Sequence, residues 1–448
     1  MPPKRLFLHR HSTHGSNPHA LSPIAILHTK AQWLLFLALC LIVFLGNLAL
    51  EYSHYRALDS DTPIIIHGQV IAQYTKTSPK TNQPYEVLKV RTESGEIFYT
   101  TSKEDIKNLL HTYVRIYGKS AKCSFWQYLQ SCLITSFSLS LESTRDYRNS
   151  LRTFIDSQHT DSLLGAFYKT LYIADFLPKE LRDISNTLGI AHLIAISGFH
   201  LGILSLVLGF SLGFIYKRVH RFFPYRNSFF DIGFITIVVL FGYLVLLSFS
   251  PSFLRAWVMA CVGFVMVYQG IKILHFSFLF MVGILCISFF PRLLFSIGFF
   301  LSFFGVFYIY LFLHYFTFSS RSLVFKFVLF PIMFNIIIFA NMLILVHFFF
   351  PYFSLYTIIS IPLTLVFTIF FPASVVAHLL GFGGIFDVPL HMLFSLNLDS
   401  IEVFAPIWLF VSYLTLSLLA MRYITAYIAS LFLSFGFWGY LYYSLWVA

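Results

Sequence analysis

The chain has 448 residues, of which 58% are hydrophobic and only 11% carry a formal charge, and its mean hydropathy is +0.76. Soluble domains are far more polar than this, so a water-soluble fold is excluded and a membrane protein is indicated. The formal net charge of +11 makes the few polar segments cationic, as expected for loops beside anionic lipid or for a surface that meets a polyanion.

Residues 1–30 form a basic tail that contains no acidic residue and five scattered histidines. Their irregular spacing favours a disordered cytoplasmic tail over a metal site. The apolar run that follows, residues 31–50, predicts a transmembrane anchor. A cleaved signal peptide fits less well, because the preceding tail is long and no small-x-small cleavage site follows the run.

Residues 51–145 differ from the rest, because apolar and polar residues alternate there as in β-strands. Strands are predicted at 66–75, 85–92, 97–101, 113–118 and 133–141, with a helix over 103–110 after the third. Five short strands and a helix predict a small extracytoplasmic β-barrel of the oligonucleotide-binding (OB) type, inserted after the first transmembrane helix. Other small β-barrels fit the pattern almost as well.

This domain holds two groups of candidate functional residues. Cys123 and Cys132 would either pair in an oxidising compartment or remain free thiols. Candidate phosphate contacts, interleaved with tyrosines that could stack on bases, are Lys76, Lys80, Lys89, Arg91 and Lys119. Residues 51–150 contain 12 basic and 10 acidic side chains, so an ordinary solvated surface is the simpler interpretation of any one of these cations.

Residues 146–187 predict amphipathic helices that lie on the membrane surface. Residues 188–448 predict a multi-helix channel domain, with spans that include 352–371 and 374–394. Arg255 is a rare cation within this apolar region. Arg292 falls in a predicted extracytoplasmic turn, where the distribution of loop charges disfavours it, so either that rule is locally broken or two short spans are wrongly divided.

The segment 188–216 is apolar and long enough to cross a bilayer, which takes about 20 residues. It nevertheless contains His192, Ser197, Gly198 and His200. Ionisable groups at membrane depth indicate a site or a pathway, and a Ser-Gly pair allows a helix to break and to line a cavity with free backbone groups. The four basic residues directly after it predict a cytoplasmic loop, which places the barrel domain on the opposite side.

The run LLGAFYKTLYIADFLPKELRDISNTLGIAHLIAISGFHLGIL, residues 163–204, resembles the core of the ComEC competence-protein family, whose hallmark reads like HLLAISGLHVGLL. Three further pieces resemble the family in the expected order: SPSFLRAWVM, FPRLLFSIGFFLSFFGVFYI and ISIPLTLVFTIFFPASVV. The resemblance covers roughly residues 160–380, and the predicted barrel at 62–141 occupies the place of the family's extracytoplasmic OB domain.

The resemblance implies a function, because members of this family are bacterial inner-membrane channels for incoming DNA. It implies a multi-pass channel that passes single-stranded DNA into the cytoplasm during natural transformation. The implied DNA path consists of His192, Ser197, Gly198, His200 and Arg255. The implied partners are single-stranded DNA, the membrane, an extracytoplasmic DNA receptor and a cytoplasmic motor or single-strand-binding protein; a homo-oligomer is compatible with the sequence.

Longer members of the family carry a metallo-β-lactamase-like domain, and its HxHxDH signature is absent from this sequence, as are metalloprotease, serine-hydrolase and phosphate-loop motifs. We therefore expect a short form with no enzymatic activity, no cofactor and no resident metal. Two alternatives stay open. A secondary transporter of a small solute would also use interrupted helices, and an intramembrane metalloenzyme could use the histidines, although no acidic third ligand stands at metal-site spacing.

Overall fold

The computed structural model describes residues 29–58, 62–78, 82–92, 95–102, 106–121, 123–142, 146–220, 225–268, 276–316, 322–396 and 399–447. The predicted basic tail before Thr29, and Lys80 of the predicted barrel cations, lie outside the described residues. The described chain forms a β-barrel near the N-terminus and a large helical domain after it.

Seven helices in the described part of the chain are long and apolar enough to cross a membrane. They are Lys30–Leu58, Gly198–Arg218, Ser228–Leu246, Ile297–Tyr315, Phe325–Phe349, Leu355–Leu379 and Ile424–Val447. Shorter apolar helices stand between some of them. The predicted fold class, a polytopic α-helical membrane protein with a small barrel after its first helix, is confirmed.

The barrel contains five strands in the closed order β1-β2-β3-β5-β4. The strands are β1 (Ile64–Thr77), β2 (Pro84–Thr92), β3 (Ile97–Ser102), β4 (Tyr113–Ser120) and β5 (Cys132–Leu141). β3 and β5 pair in parallel and all other neighbours are antiparallel. This order gives the OB topology that the sequence predicts.

The barrel closes because the inward positions of its strands are apolar. Val70, Leu88, Val90 and Val114 are fully buried, as alternation predicts. The prediction of a helix over 103–110 is wrong for the described residues of this segment. Residues 106–109 have no regular secondary structure, and a turn follows them. A helical turn, α2 (Phe125–Tyr128), stands instead between β4 and β5, where Ser124 accepts a hydrogen bond from Gln127 N as its N-cap.

Helix α1 (Lys30–Leu58) continues eight residues past the predicted end of the anchor and carries the barrel on its last turns. Tyr55 contacts Phe125 and Tyr128, at ring-centroid distances of 5.6 and 5.7 Å. The hydroxyl of Tyr55 donates to the carbonyl of Cys123 at 2.9 Å. Cys123 forms a disulfide with Cys132, which joins the start of β5 to this contact.

Three short helices connect the barrel to the membrane helices: α3 (Asn149–Asp156), α4 (Ser162–Ile173) and α5 (Lys179–Thr187). We call α3, α4 and the turn between them the arm. The arm buries Phe167 and Leu171 against Phe367 and Phe371, so it packs against the large helical domain along one face. The amphipathic pattern predicted for residues 146–187 supplies this face.

The remaining elements of the helical domain follow in chain order. They are α6 (Ala191–Ile194), α7 (Gly198–Val219), α8 (Ser228–Leu246), α9 (Pro251–Tyr268), α10 (Phe276–Phe289), α11 (Ile297–Tyr315), α12 (Phe330–Phe349), β6 (Tyr352–Phe353), α13 (Ser360–Leu379), α14 (Asp387–Phe394), β7 (Ile401–Glu402), α15 (Ile407–Leu419) and α16 (Ile424–Val447). Single turns at Pro291–Phe295, Leu355–Ile359 and Gly383–Phe386 are 3₁₀-helical, and Phe325–Leu329 is π-helical.

The predicted pair of spans at 352–371 and 374–394 is wrong, because α13 runs through the predicted boundary to Leu379. Pro372 lies inside this helix. A proline removes one backbone donor, yet helices in membrane proteins tolerate it when neighbouring groups satisfy the freed carbonyl. The residues after α13 form only the short helix α14.

Candidate functional site

The segment 188–216 is interrupted at the position that its Ser-Gly pair predicts. α6 ends at Ile194, residues 195–197 are not helical, and α7 begins at Gly198. Ser197 is the N-cap of α7: its Oγ accepts from Phe199 N at 3.3 Å, and its own N–H points at His200 Nδ1, also 3.3 Å away. Only α7 is long enough to span a membrane, so the residues before it form a separate short element.

The start of α7 packs against the start of α9. Ser252 donates through its hydroxyl to the carbonyl of Ile196, and a Cβ atom on Gly198 would lie 3.4 Å from the Cβ of Ala256. The turn that leads into α9 holds Ser248 and Phe249 at φ +49° and +54°, a left-handed conformation that costs a non-glycine residue about 1–3 kcal/mol. Two helix N-termini, each with free N–H groups and a positive dipole end, therefore meet beside a strained turn.

His200 is completely buried between the rings of Phe367 and Phe371 on α13. Its Nδ1 faces the N–H of Ser197, so the proton of a neutral ring is on Nε2, and Nε2 has no hydrogen-bond partner. A buried unpaired donor is costly. His200 therefore offers a free N–H inside the helical domain, at the level of the helix break.

Arg255 lies one turn into α9 and is 3% exposed. Neither of its two terminal nitrogens has a hydrogen-bond partner, and its guanidinium stacks 5.2 Å from the ring centroid of Phe299. Buried cations in proteins are normally paired with an anion. A side chain whose charged group reached the membrane interface would be more exposed than this. His192, the remaining predicted path residue, is exposed, and its Nδ1 contacts the carbonyl of Gly189 at 2.9 Å.

The predicted barrel cations separate into two kinds. Lys89 and Arg91 lie on the outer face of β2 and point away from the barrel core, with Tyr99 of β3 directly opposite Lys89. Strands 2 and 3 carry the ligand face of OB barrels. Burial together with Arg91 and Arg182 lowers the pKa of Lys89, and burial together with Arg148 lowers that of Arg91. Like charges are therefore concentrated on this face, which we call the β2–β3 patch.

Lys76 and Lys119 lie away from the β2–β3 patch. Lys76 is exposed at the end of β1, where its Nζ sits 5.6 Å from the ring centroid of Tyr74. Lys119 lies on β4, opposite Thr135 of β5. Arg182 of α5, which the sequence did not single out, joins the patch because the fold brings α5 to the barrel; it lies 91 residues from Arg91 in the chain.

A buried charge network, which we call the arm joint, connects the barrel to the arm. Asp146 Oδ2 accepts from Gln69 Nε2 of β1 at 2.6 Å and from Arg152 Nη1 of α3 at 2.8 Å. Arg152 Nε donates to Asp175 at 2.6 Å. Burial alone would raise the pKa of Asp146, but hydrogen bonds from Arg148, Gln69 and Arg152 outweigh it and hold that pKa far below its ordinary value.

His111, in the loop before β4, completes the arm joint. Its Nε2 lies 3.4 Å from Asp175. Burial, opposed by the nearby Asp175, lowers the pKa of His111 to about 4. The ring is therefore neutral at pH 7.

A second connection joins the barrel to α1 and to the turn between α10 and α11. Arg292 donates to Glu51 of α1 at 2.8 and 2.7 Å and to Glu96 of the barrel at 3.1 Å. Hydrogen bonds from Arg292 therefore explain why a cation stands in this turn. Glu51, His54 and Glu96 lie close enough to hold a metal ion, but Arg292 already donates hydrogen bonds to both carboxylates, and its positive charge disfavours a second cation at this position.

The two asparagines of α12, which lie away from the break, have hydrogen-bond partners. Asn341 of α12 accepts from the hydroxyl of Tyr413, which is 3.2 Å from its Oδ1 and 2.8 Å from its backbone carbonyl. Asn335 donates to the carbonyl of Pro331 at 2.8 Å. The bond between Asn341 and Tyr413 joins α12 to α15, whereas the bond of Asn335 stays within α12.

The fold and these sites define a multi-pass helical membrane protein that carries an OB-type barrel. The family model for competence proteins matches residues 174–446, more than half of the chain, and the chain belongs to that family. It therefore has a role in DNA uptake. The barrel precedes the matched region, so its assignment rests on its strand order. No curated protein and no solved structure is significantly similar to the chain.

Proposed function

We propose that this protein is the inner-membrane channel through which single-stranded DNA enters the cytoplasm during natural transformation. In this proposal the N-terminus of α1 is cytoplasmic and the barrel is extracytoplasmic. The β2–β3 patch receives the strand, and the break before α7 holds the phosphates as they cross. The chain moves DNA without cleaving it, and His192, Ser197, Gly198, His200 and Arg255 belong to the path.

The observation that carries the proposal is the presence of unpaired buried donors beside the helix break. A phosphate that leaves water must exchange its hydration for protein donors, and helix N-termini and arginine supply them. The free N–H of His200 and the two free nitrogens of Arg255 are such donors. A cation without an anion is a cost in the empty protein, and a passing phosphate would remove it.

Energetics imply partners for such a channel. Each nucleotide carries one negative charge, and moving a charge inward against an inside-negative potential costs about 2.3 kcal/mol per 100 mV. The sequence contains no phosphate-loop motif, so a cytoplasmic motor or single-strand-binding protein must pull. An extracytoplasmic receptor must deliver the strand to the barrel, whose cations Lys89 and Arg91 and ring of Tyr99 suit a polyanion with stacked bases.

The test is a transformation assay in cells that lack the gene and are complemented with variants. Labelled DNA should pass the outer envelope but fail to reach the cytoplasm in the deletion strain. Ser197→Ala and His200→Ala should reduce entry into the cytoplasm at least tenfold at unchanged protein level. Asn227→Ala is the matched control, because Asn227 caps α8 as Ser197 caps α7, and its loss costs about the same 1 kcal/mol.

The outcomes separate the proposal from its alternatives. Normal entry in both variants would remove the helix break from the DNA path. Purified protein in liposomes that takes up a small solute but neither binds nor conducts single-stranded DNA would instead establish a solute transporter. DNA entry that depends on the barrel variants Lys89→Gln and Arg91→Gln, but not on the break, would limit the protein to a receptor.

A further inference from the structure

Two buried histidines from distant parts of the chain meet where the arm contacts the helical domain. His159 lies in the turn between α3 and α4, and His378 lies near the end of α13. Their Nε2 atoms are 2.9 Å apart. The side chain of His159 is 1% exposed and His378 is 4% exposed, so water does not separate the two rings.

The other nitrogen of each ring faces an acceptor. His159 Nδ1 lies 2.9 and 3.0 Å from the two carboxylate oxygens of Asp387. His378 Nδ1 lies 2.8 Å from the carbonyl oxygen of Ser374, one turn earlier in α13. A carboxylate and a carbonyl only accept hydrogen bonds, so each Nδ1 carries a proton. Both Nε2 atoms of two neutral rings would then present lone pairs to each other.

Tyr172 offers the only competing arrangement among the described contacts of His378. Its hydroxyl lies 3.2 Å from His378 Nδ1 and could donate to that nitrogen if the ring carried its proton on Nε2. The lone pair of Nδ1 would then face the Ser374 carbonyl at 2.8 Å. That contact is shorter than the one to Tyr172 and is repulsive without a proton, so the geometry selects Nδ1–H.

Two lone pairs 2.9 Å apart need a cation between them. The separation equals the usual donor–acceptor distance of an N–H···N bond, about 2.9 Å. A tetrahedral zinc ion, with bonds of about 2.0–2.1 Å, would hold its nitrogens about 3.4 Å apart. The distance therefore fits a proton and not a tetrahedral metal ion.

We propose that His159 and His378 form a binding site for a single proton, shared between their Nε2 atoms, with Asp387 as its counter-ion. The proton comes from solvent, and the pair becomes a monocation next to one carboxylate. The titratable groups in contact with the pair are Asp387 of α14 and Tyr168 and Tyr172 of α4. Farther along the packed elements, Tyr243 of α8 donates to the carbonyl of Tyr172, and Asp156 pairs with Lys169. Burial raises the pKa of both Tyr168 and Tyr172, so these hydroxyls add no negative charge.

The shared proton stabilises the contact between the arm and the turn after α13. We call this contact, formed by Gln158, His159, His378 and Gly383, the clasp. Gln158, next to His159, donates to the carbonyl of His378 at 3.1 Å and accepts from Gly383 N at 2.8 Å. A Cβ on Gly383 would come within 2.6 Å of Gln158 Oε1 and 2.8 Å of His378, so the turn needs glycine there. Loss of the proton leaves facing lone pairs, and the clasp opens as the pH rises.

Nitrogen-15 NMR of the histidine-labelled full-length protein in lipid bilayers tests the proposal directly. At pH 6 we expect a correlation between two histidine Nε2 atoms across one shared proton, together with two protonated Nδ1 atoms. Above the midpoint of the titration this signal should fall about tenfold per pH unit, as for one proton. His159→Gln and His378→Gln should each remove it. His391→Gln, a nearby exposed histidine, should leave it unchanged.

Three results would overturn the proposal. One is an unprotonated His378 Nδ1 at pH 6, which would establish the neutral arrangement with Tyr172. Another is stoichiometric zinc in the purified protein, with loss of the Nε2 contact on chelation. The third is a wild-type protein without any Nε2–Nε2 correlation across the titration. The spectrum of the unsubstituted protein decides all three, so a variant that folds poorly does not affect the test.

Discussion

Arg255 provides a prediction in which stability and function move in opposite directions. Arg255→Met keeps the length of the buried aliphatic stem but removes the unpaired charge. The effective penalty for a buried ion is several kcal/mol, and the stacking on Phe299 returns about 2 kcal/mol when desolvated. We therefore expect the variant to be more stable than the wild type by about 1–3 kcal/mol, while DNA entry is lost.

Thermal unfolding of the purified protein and transformation of complemented cells measure the two effects. For a domain of this size the gain corresponds to a rise in Tm of about 2–12 °C. Arg422→Met is the matched control, because Arg422 is exposed and stacks on Tyr423, and it should change neither quantity. A lower Tm for Arg255→Met would show that Arg255 has a structural partner, and normal DNA entry would remove it from the path; either result refutes the reasoning.

Four further predictions concern the barrel and its connections. The double variant Lys89→Gln, Arg91→Gln should bind single-stranded DNA more weakly. The slope of the logarithm of the binding constant against the logarithm of the salt concentration should become shallower by about 0.7 per lost phosphate contact, as measured by titration at several salt concentrations. Asp146→Asn breaks the buried arm joint and should destabilise the protein by about 3–5 kcal/mol in chemical unfolding. The pKa of His111 is lowered from 6.5 to about 4, so the unfolded chain takes up a proton more readily than the folded one as the pH falls. The free energy of unfolding should therefore decrease by about 1–2 kcal/mol, discounted for solvent screening, between pH 7 and pH 4. His111→Gln should reduce this pH dependence in a series of melting curves. Arg292→Met should cost about 1.5–3 kcal/mol in the same assay, and unchanged stability would show that its carboxylate contacts contribute nothing.

The elements with a strong local pattern were predicted from the sequence. The five strands follow from alternation around residues such as Leu88 and Val114, and the spanning helices from runs of apolar residues. The break before Gly198 was also predicted, because serine caps helices and glycine tolerates close packing. Two predictions from local sequence were wrong. The charged run at 103–110 has the composition of a helix but does not form one in its described residues, and Pro372, which usually indicates the end of a helix, lies inside α13.

The contacts that join distant parts of the chain could not be predicted. His159 and His378 are 219 residues apart, and Arg292 and Glu51 are 241 apart. A histidine or an arginine looks the same in the sequence whether it is solvated or paired, because its partner is set by the fold. The sequence did indicate that Arg292 is unusual, because a cation is disfavoured in a predicted extracytoplasmic turn. Arg182 gave no signal.

The attachment of the barrel at two places has a mechanical consequence. Arg292 joins the barrel to α1 and to the turn before α11. Asp146 joins it to the arm, because it accepts from Gln69 of β1 and from Arg152 of α3. Contacts at two places restrict rotation of the barrel, and with it changes in the distance from the β2–β3 patch to the start of α7. If the proposed DNA path is correct, oligonucleotides shorter than that distance would bind to the barrel without reaching the helix break, so uptake would require a minimum strand length.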